Sequence, residues 1–262
     1  MITLTTDIDQ FYVAQVKGSI LSINPDSRIF DLSHEVGRFA IRRASFVLMC
    51  GVRIFPRGTV HVCVVDPGVG GQRRAIIVDS EYGYLVGPDN GVFTLPVSLF
   101  EGYDAYSIDA PWARGISGRH ISPTFHGRDI FAPVAAFLDS GGSPEECGTR
   151  VESIETFELQ EPRGTDSGAA GTVLYVDGFG NVVTNIPEGT LEAEAGKDLW
   201  ARVGGKTFPC QSASCYSEAE QGKLILLVGS QGTYELGVNL GSASSLTGAS
   251  EGDGVELVEV RE

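Results

Sequence analysis

The run Val60-His61-Val62-Cys63-Val64-Val65, closed by Asp66-Pro67-Gly68, places the strongest limit on the fold. A strand with one face in water alternates apolar and polar residues, whereas a run without alternation must be covered on both faces. The helices that could cover it are present in the pattern. Residues 11–23 carry apolar positions at Val13, Val16, Ile20 and Leu21, residues 41–49 have a similar stripe, and residues 130–138 have Pro133 in a first turn. Further strands are expected at 2–5, 28–32, 60–66, 75–79 and 84–86. Strands alternating with helices predict an α/β N-terminal domain with a mainly parallel sheet, spanning residues 1–155.

The pattern changes after about residue 145. Short β-rich runs recur at 172–177, 199–203, 223–228, 233–238 and 255–260, separated by Gly-rich turns, and only residues 188–195 suggest a helix. This predicts an all-β C-terminal domain, a small barrel or sandwich over residues 156–262, with 157–168 as the connector.

Composition narrows the function. The net charge of −15, with only 4 Lys among 19 basic residues, repels phosphate backbones, so no nucleic-acid partner is expected. The same field suits a cationic substrate, and equally describes a plain acidic surface. Apolar runs such as 76–78 and 224–228 are far too short to cross a bilayer. MITLTTD has no basic region ahead of an apolar stretch, so a cytoplasmic product is expected. Five cysteines without a CxxC, and His34, His61, His120 and His126 without HxxxH spacing, predict free thiols and no metal.

Four segments carry residue types that can do chemistry. In the first, a strand ends at Asp66, a Gly-rich turn follows, and Arg73 lies seven residues on. Ligands of α/β sheets bind at the carboxyl ends of strands. A phosphate-binding loop does not fit, because a strand and not a helix follows the turn and no GK[ST] is present. A turn with Arg73 in a surface ion pair explains the same residues. The second segment is Thr124-Phe125-His126-Gly127-Arg128-Asp129, ahead of the 130–138 helix. It could hold an anion at a helix N-terminus, or be a capping loop with Asp129 as cap and His126 on the surface. The third is Asp177-Gly178-Phe179-Gly180-Asn181, whose amide and ring could read and stack a base, or simply turn a hairpin. The fourth is Asp7 at the end of the first strand, placed as an acidic residue that accepts both ribose hydroxyls.

Together with DLSHEV (31–36), FPRGTVHVCVVDPGVGGQRR (55–74), VGPDNGVFT (86–94), SPTFHGRDIFAPVAA (122–136), VDGFGNVVTNI (176–186) and GSQGTYELGVNLGSA (229–243), these segments resemble the S-adenosylmethionine (SAM) hydroxide adenosyltransferases. That family is related to the bacterial fluorinase and chlorinase. The resemblance implies an α/β domain, a β-barrel domain, and a homotrimer with each active site between the N-domain of one subunit and the C-domain of the next. It implies that Asp66, Arg73 and His126 hold a nucleophilic water, with Phe125 and Gly127 beside them. Asp7 would hold the ribose, Phe179 and Asn181 the adenine, and Asp177 the methionine amino group. Ser230, Glu235 and Val238 would line the same site, and Phe39 would flank the substrate.

The implied reaction is attack of water or hydroxide at the ribose C5′ of SAM, giving adenosine and methionine. SAM is the substrate, and no cofactor is implied. Sulfonium is already a good leaving group, so the task is to aim a nucleophile at C5′ in a dry pocket. Arg73 cannot act as a base and would stabilise hydroxide, His126 would exchange the water's proton, and Asp66 would fix the pair. The halogenases lack the Asp-Arg-His combination, which favours hydroxide over halide here. A halide-dependent 5′-halogenase and a non-catalytic SAM or adenosine sensor are the alternatives. Two departures bear on the amino-acid end of SAM. The stretch Asp7-Ile8-Asp9-Gln10-Phe11 is about two residues shorter than in relatives, and Gln231 stands where the halogenases carry Arg. Whether the natural sulfonium or its (R) epimer is preferred stays open.

Overall fold

A computed structural model describes residues 1–191 and 194–260. Its contacts divide the chain into two units, Met1–Phe157 and Glu158–Glu262.

The first unit runs β1 (Ile2–Thr6), α1 (Gln10–Ile23), β2 (Ile29–Ser33), α2 (Ile41–Ile54), β3 (Thr59–Val64), β4 (Ala75–Ser80), β5 (Gly83–Pro88), α3 (Thr94–Val97), β6 (Asp104–Ile108), α4 (Ala110–Ser117), α5 (Ala132–Asp139), α6 (Pro144–Cys147) and β7 (Gly148–Val151). The sheet order is β2-β1-β3-β5-β4-β6-β7. Pairings among β2, β1, β3 and β5 are parallel, and those of β4 with β5 and β6, and of β6 with β7, are antiparallel. Only β4 and β7 therefore run against the rest. All six residues of β3 are buried. Val60, Val62 and Val64 pack with Val13, Val16 and Ile20 of α1 and with α5, whereas Cys63 and Val65 pack with Ala44, Leu48 and Val52 of α2. Coverage on both faces is what the apolar run demands.

Boundaries depart from the expected ones for local reasons. Helix α2 continues five residues past Met49, because Leu48, Gly51 and Val52 keep the buried stripe in helical period. The expected strand at 60–66 stops at Val64, which leaves Asp66 in the turn beyond it. The expected helix at 130–138 starts earlier, as a π-turn over Gly127–Phe131 that passes into α5. Strands β6 and β7 and helix α4 gave no periodic signal.

The second unit is a closed barrel. Strands β9 (Gly168–Val176), β10 (Val182–Pro187), β11 (Asp198–Val203), β12 (Lys206–Ser212), β13 (Leu224–Val228), β14 (Thr233–Val238) and β15 (Gly254–Glu259) pair in the ring β9-β10-β14-β13-β12-β11-β15-β9, and β8 (Arg163–Thr165) adds to β9. All pairings are antiparallel except β12–β13. Alternation places Leu199, Ala201 and Val203 inside with Leu226, Leu236 and Leu257. Strand β12 escaped the sequence reading because of Pro209, which lies where β12 has β11 on one side only; β13 joins at Gln211 and Ser212. The helix expected at 188–195 is not formed at Glu188–Leu191, where the chain turns, and residues 192–193 lie outside the described residues. A short helix, α7, covers Ala243–Thr247. Among the described residues no helix is long and apolar enough to cross a membrane.

Candidate active site

Strands β1 and β3 are parallel neighbours with Thr6 opposite Val64. Their chains therefore leave the sheet at one edge, and Asp7 and Asp66 emerge together. The Asp7 N–H donates to the Val64 carbonyl at 3.4 Å. This is the carboxyl edge, where α/β sheets hold their ligands. Behind it, Thr6 Oγ1 and His34 Nδ1 bond at 2.9 Å and tie the end of β1 to the segment after β2.

The turn after Asp66 brings Arg73 back onto it. Gly70 has φ +75°, and a side chain there would collide with the Pro123 carbonyl, so glycine lets the turn lie against the segment carrying His126. Arg73 Nε donates to Asp66 Oδ1 at 2.9 Å, and Nη2 donates to Asp66 Oδ2. The second Nη2 proton goes to His126 Nδ1 at 2.7 Å, and Nη1 donates to the Arg74 carbonyl at 3.3 Å. Both charged side chains are buried, at 11% and 6% exposure. One of the five guanidinium protons is left for a guest.

His126 enters from the other side on the π-turn. The Ala132 N–H reaches past the usual partner to the Gly127 carbonyl. Pro133 has no N–H to give, and the Arg128 carbonyl is satisfied instead by Ser19 Oγ of α1 at 2.8 Å. Gly127 packs directly on β3, where a Cβ would sit 2.6 Å from Val64 Cγ1. Asp129 is not the expected cap. It is buried, takes both Arg128 Nε (2.7 Å) and Nη2 (2.9 Å), and accepts the Ser122 N–H at 2.9 Å. Nor does His126 lie on the surface; it is half-buried.

The bond from Arg73 fixes the state of His126. Nδ1 accepts, so the imidazole is neutral with its proton on Nε2. Burial and the Arg73 charge both push its pKa below the usual 6.5, against the opposing pull of Asp66 and Asp129. The site thus offers the Nε2–H of His126 as a donor, while both oxygens of Asp66 are engaged by Arg73, which itself does not line the cleft. That electrostatics suits an anion or a strongly polarised water.

Asp7, Phe39, Asp66, Phe125, His126 and Gly127 line one cleft of about 340 Å³, of the size that holds a small molecule. Asp7 Oδ2 accepts the Phe39 N–H at 2.8 Å, and Phe39 is one of two non-glycine residues in the left-handed region among the described residues, with φ 62°. Its ring is 67% exposed.

The remaining candidates lie in the barrel unit. Asp177, Phe179 and Asn181 occupy the β9–β10 turn, Ser230 the β13–β14 turn, and Glu235 and Val238 lie on β14. Asp177 Oδ1 accepts the N–H groups of Phe179 and Asn181, and Oδ2 accepts Asn181 Nδ2, each at 2.9 Å. Strand β14 pairs with β10, with Glu235 opposite Val183. Tyr216, which the sequence did not single out, donates to Glu235 Oε1 at 2.5 Å. Burial and then Glu235 hold its phenol protonated well above its usual range. Phe179 is 82% exposed and Val238 is buried.

Residues 2–148 match the N-terminal domain of the SAM hydroxide adenosyltransferase family, and residues 171–256 match its C-terminal domain. The chain belongs to the SAM hydroxide adenosyltransferase family. It is 37% identical to a Thermus thermophilus protein named (R)-S-adenosyl-L-methionine hydrolase, covering 94% of each chain. A crystal structure of a conserved protein from Thermotoga maritima superposes with a TM-score of 0.90 at 38% identity, covering 99% of this chain and 100% of that one. A fluorinase from Nocardia brasiliensis is more distant, 28% identical over 69% of this chain and 68% of its own.

For a SAM hydroxide adenosyltransferase, the cleft also contains Ile8 and Asp9 of the short loop, Val64, Val69 and Thr124 from inside the matching segments, and two residues outside them, Tyr12 and Arg38. Tyr12 meets Phe125 edge to face at 5.4 Å between ring centres. Tyr12 and Arg38 belong to no motif, and only the folded chain brings them to Asp7.

Proposed function

We propose that this protein cleaves the C5′–sulfur bond of SAM with water or hydroxide, giving adenosine and methionine. The observation that carries the reading is the partly buried Asp66–Arg73–His126 cluster at the strand edge beside Asp7. In this reading a C5′–oxygen bond forms as the C5′–sulfur pair departs with sulfur, and no acid is needed. Arg73 and the Nε2–H of His126 stabilise the hydroxide, whose proton has been given up to bulk solvent when water is the source, and Asp66 orients Arg73. Because Nδ1 of His126 is occupied, the imidazole serves as a donor and not as a proton acceptor at that atom. Phe125 and Gly127 wall the nucleophile, Asp7 takes the ribose hydroxyls, and Phe39 flanks the sugar. Asn181 and Phe179 take adenine, Asp177 the methionine amino group, and Ser230, Glu235 and Val238 complete that wall. A homotrimer in which the barrel of one protomer faces the α/β unit of its neighbour completes the proposal, on the strength of the family resemblance. The names of the relatives support the (R) sulfonium as the preferred epimer.

Incubation with each SAM epimer in heavy-oxygen water tests this. Adenosine carrying the heavy oxygen at its 5′ position, with methionine released, is the expected product. A 5′-halo-adenosine formed with chloride or fluoride would make it a halogenase, and unchanged SAM would make it a sensor. Sedimentation at working concentration tests the trimer.

A further inference from the structure

The amino-acid end of SAM brings one carboxylate into the cleft, alongside a sulfonium and an ammonium. The charged groups lining the cleft are Asp7, Asp9, Asp66 and Arg38. Asp66 is neutralised by Arg73, and Asp7 takes a backbone N–H. Arg38 is exposed and makes no hydrogen bond or ion pair among the described residues. Its neighbours fix its place. Gly37 has φ 88° and Phe39 φ 62°, the Ala40 N–H closes the turn on the Gly37 carbonyl at 3.3 Å, and the Phe39 N–H is bonded to Asp7. The backbone of Arg38 is therefore fixed at the rim, and its side chain lines the cleft that holds the carboxylate read as the ribose ligand. It is the single unpaired cation on a cleft whose guest carries a single anion.

We infer that Arg38 binds the α-carboxylate of the substrate and selects substrates that possess one. This rests on the SAM reading above and deepens it, supplying the carboxylate contact that the short loop after Asp7 and the glutamine at 231 leave without an owner. A guanidinium matches a carboxylate with two parallel N–H bonds, which an ammonium cannot do.

The test compares wild type, Arg38→Ala and Arg38→Lys on SAM and on its decarboxylated analogue, which keeps the sulfonium and the ammonium. Where the analogue is not turned over, its inhibition constant against SAM replaces kcat/KM. Arg38→Ala should raise KM for SAM about 10- to 100-fold, the range for losing a hydrogen bond to a charged group, with kcat within about twofold. Its kcat/KM or inhibition constant for the analogue should stay within about twofold of wild type, so that discrimination disappears. Arg38→Lys should retain part of it. An equal loss on both substrates, or no loss on SAM, would overturn the assignment while leaving SAM hydrolysis standing. No turnover of either SAM epimer by wild type would remove the hydrolase reading itself, and Arg38 with it.

Discussion

The two units present their candidate residues in opposite ways. In the α/β unit Asp66, Arg73 and His126 are sunk against β3 and α5, and most of their hydrogen-bonding capacity is spent on one another before any ligand arrives. In the barrel unit Asp177, Phe179, Asn181 and Ser230 stand on turns, Phe179 is largely in solvent, and Asp177 and Asn181 bond each other within the same turn, while Glu235 and Val238 lie on β14. Groups that stabilise developing charge gain from being fixed in advance, because nothing has to reorganise at the moment of reaction. Groups that recognise a base or an amine can exchange one partner for another on binding. In the proposed reading the difference separates chemistry from recognition within one chain.

Substitutions should split along that line. Arg73→Met is expected to lower kcat by about 10²- to 10³-fold, with KM for SAM little changed, since it removes donors that matter most in the transition state. Asn181→Ala should raise KM and leave kcat nearly untouched. Steady-state kinetics with both variants would break the comparison if Asn181→Ala fell mainly in kcat.

A second contrast is in acid. All four histidines lie in the α/β unit. His61 is 1% exposed, bonds Thr3 Oγ1 at 2.8 Å, and burial lowers its pKa to about 4. Between that value and the unfolded 6.5 the unfolded chain binds more protons, so stability is full above 6.5 and falls as pH drops toward 4. The loss should reach roughly 3 kcal/mol in the α/β unit, from 1.36 kcal/mol per pKa unit. Hydrogen exchange at pH 7 and pH 5 should show protection falling in β1 and β3 before the barrel strands, less so in His61→Gln. Equal losses in both units would show that carboxylates and not His61 set the acid limit.

The smallest effect is expected at Tyr216→Phe. It removes one exposed-side bond to Glu235 and should raise KM by a few-fold, about 1 kcal/mol or less, without moving kcat. A large fall in kcat would place Tyr216 with the chemistry.

Legibility in the sequence followed the same physics. Strand β3 and its carboxyl-edge aspartate could be read because burial on both faces writes an unbroken apolar run. Among the barrel strands β11 could be read from its alternation and β13 from its apolar run, while β10 and β12 were not expected, β12 carrying a proline on a half-open edge. The triad was nameable through family motifs, yet spacing alone left Arg73 equally a surface ion pair. Nothing local announces that residue 73 folds back on residue 66 and meets residue 126. Tyr12 and Arg38 stayed hidden because an isolated residue carries no period, and their placement comes from the turn at Gly37 and the first turn of α1.

Pro133 lies in the first turn of α5, directly after the π-turn that carries His126 toward Arg73. One extra residue wound into a helix turns everything upstream by about 100° around the axis. Pro133→Ala restores an N–H at that position and is expected to let the turn rewind, which a crystal structure of the variant would show as loss of the Arg73–His126 contact. A pyrrolidine ring at the far end of the segment therefore acts as an alignment pin. Attempts to retune this pocket for other nucleophiles would do well to leave it in place and vary the turn after Asp66.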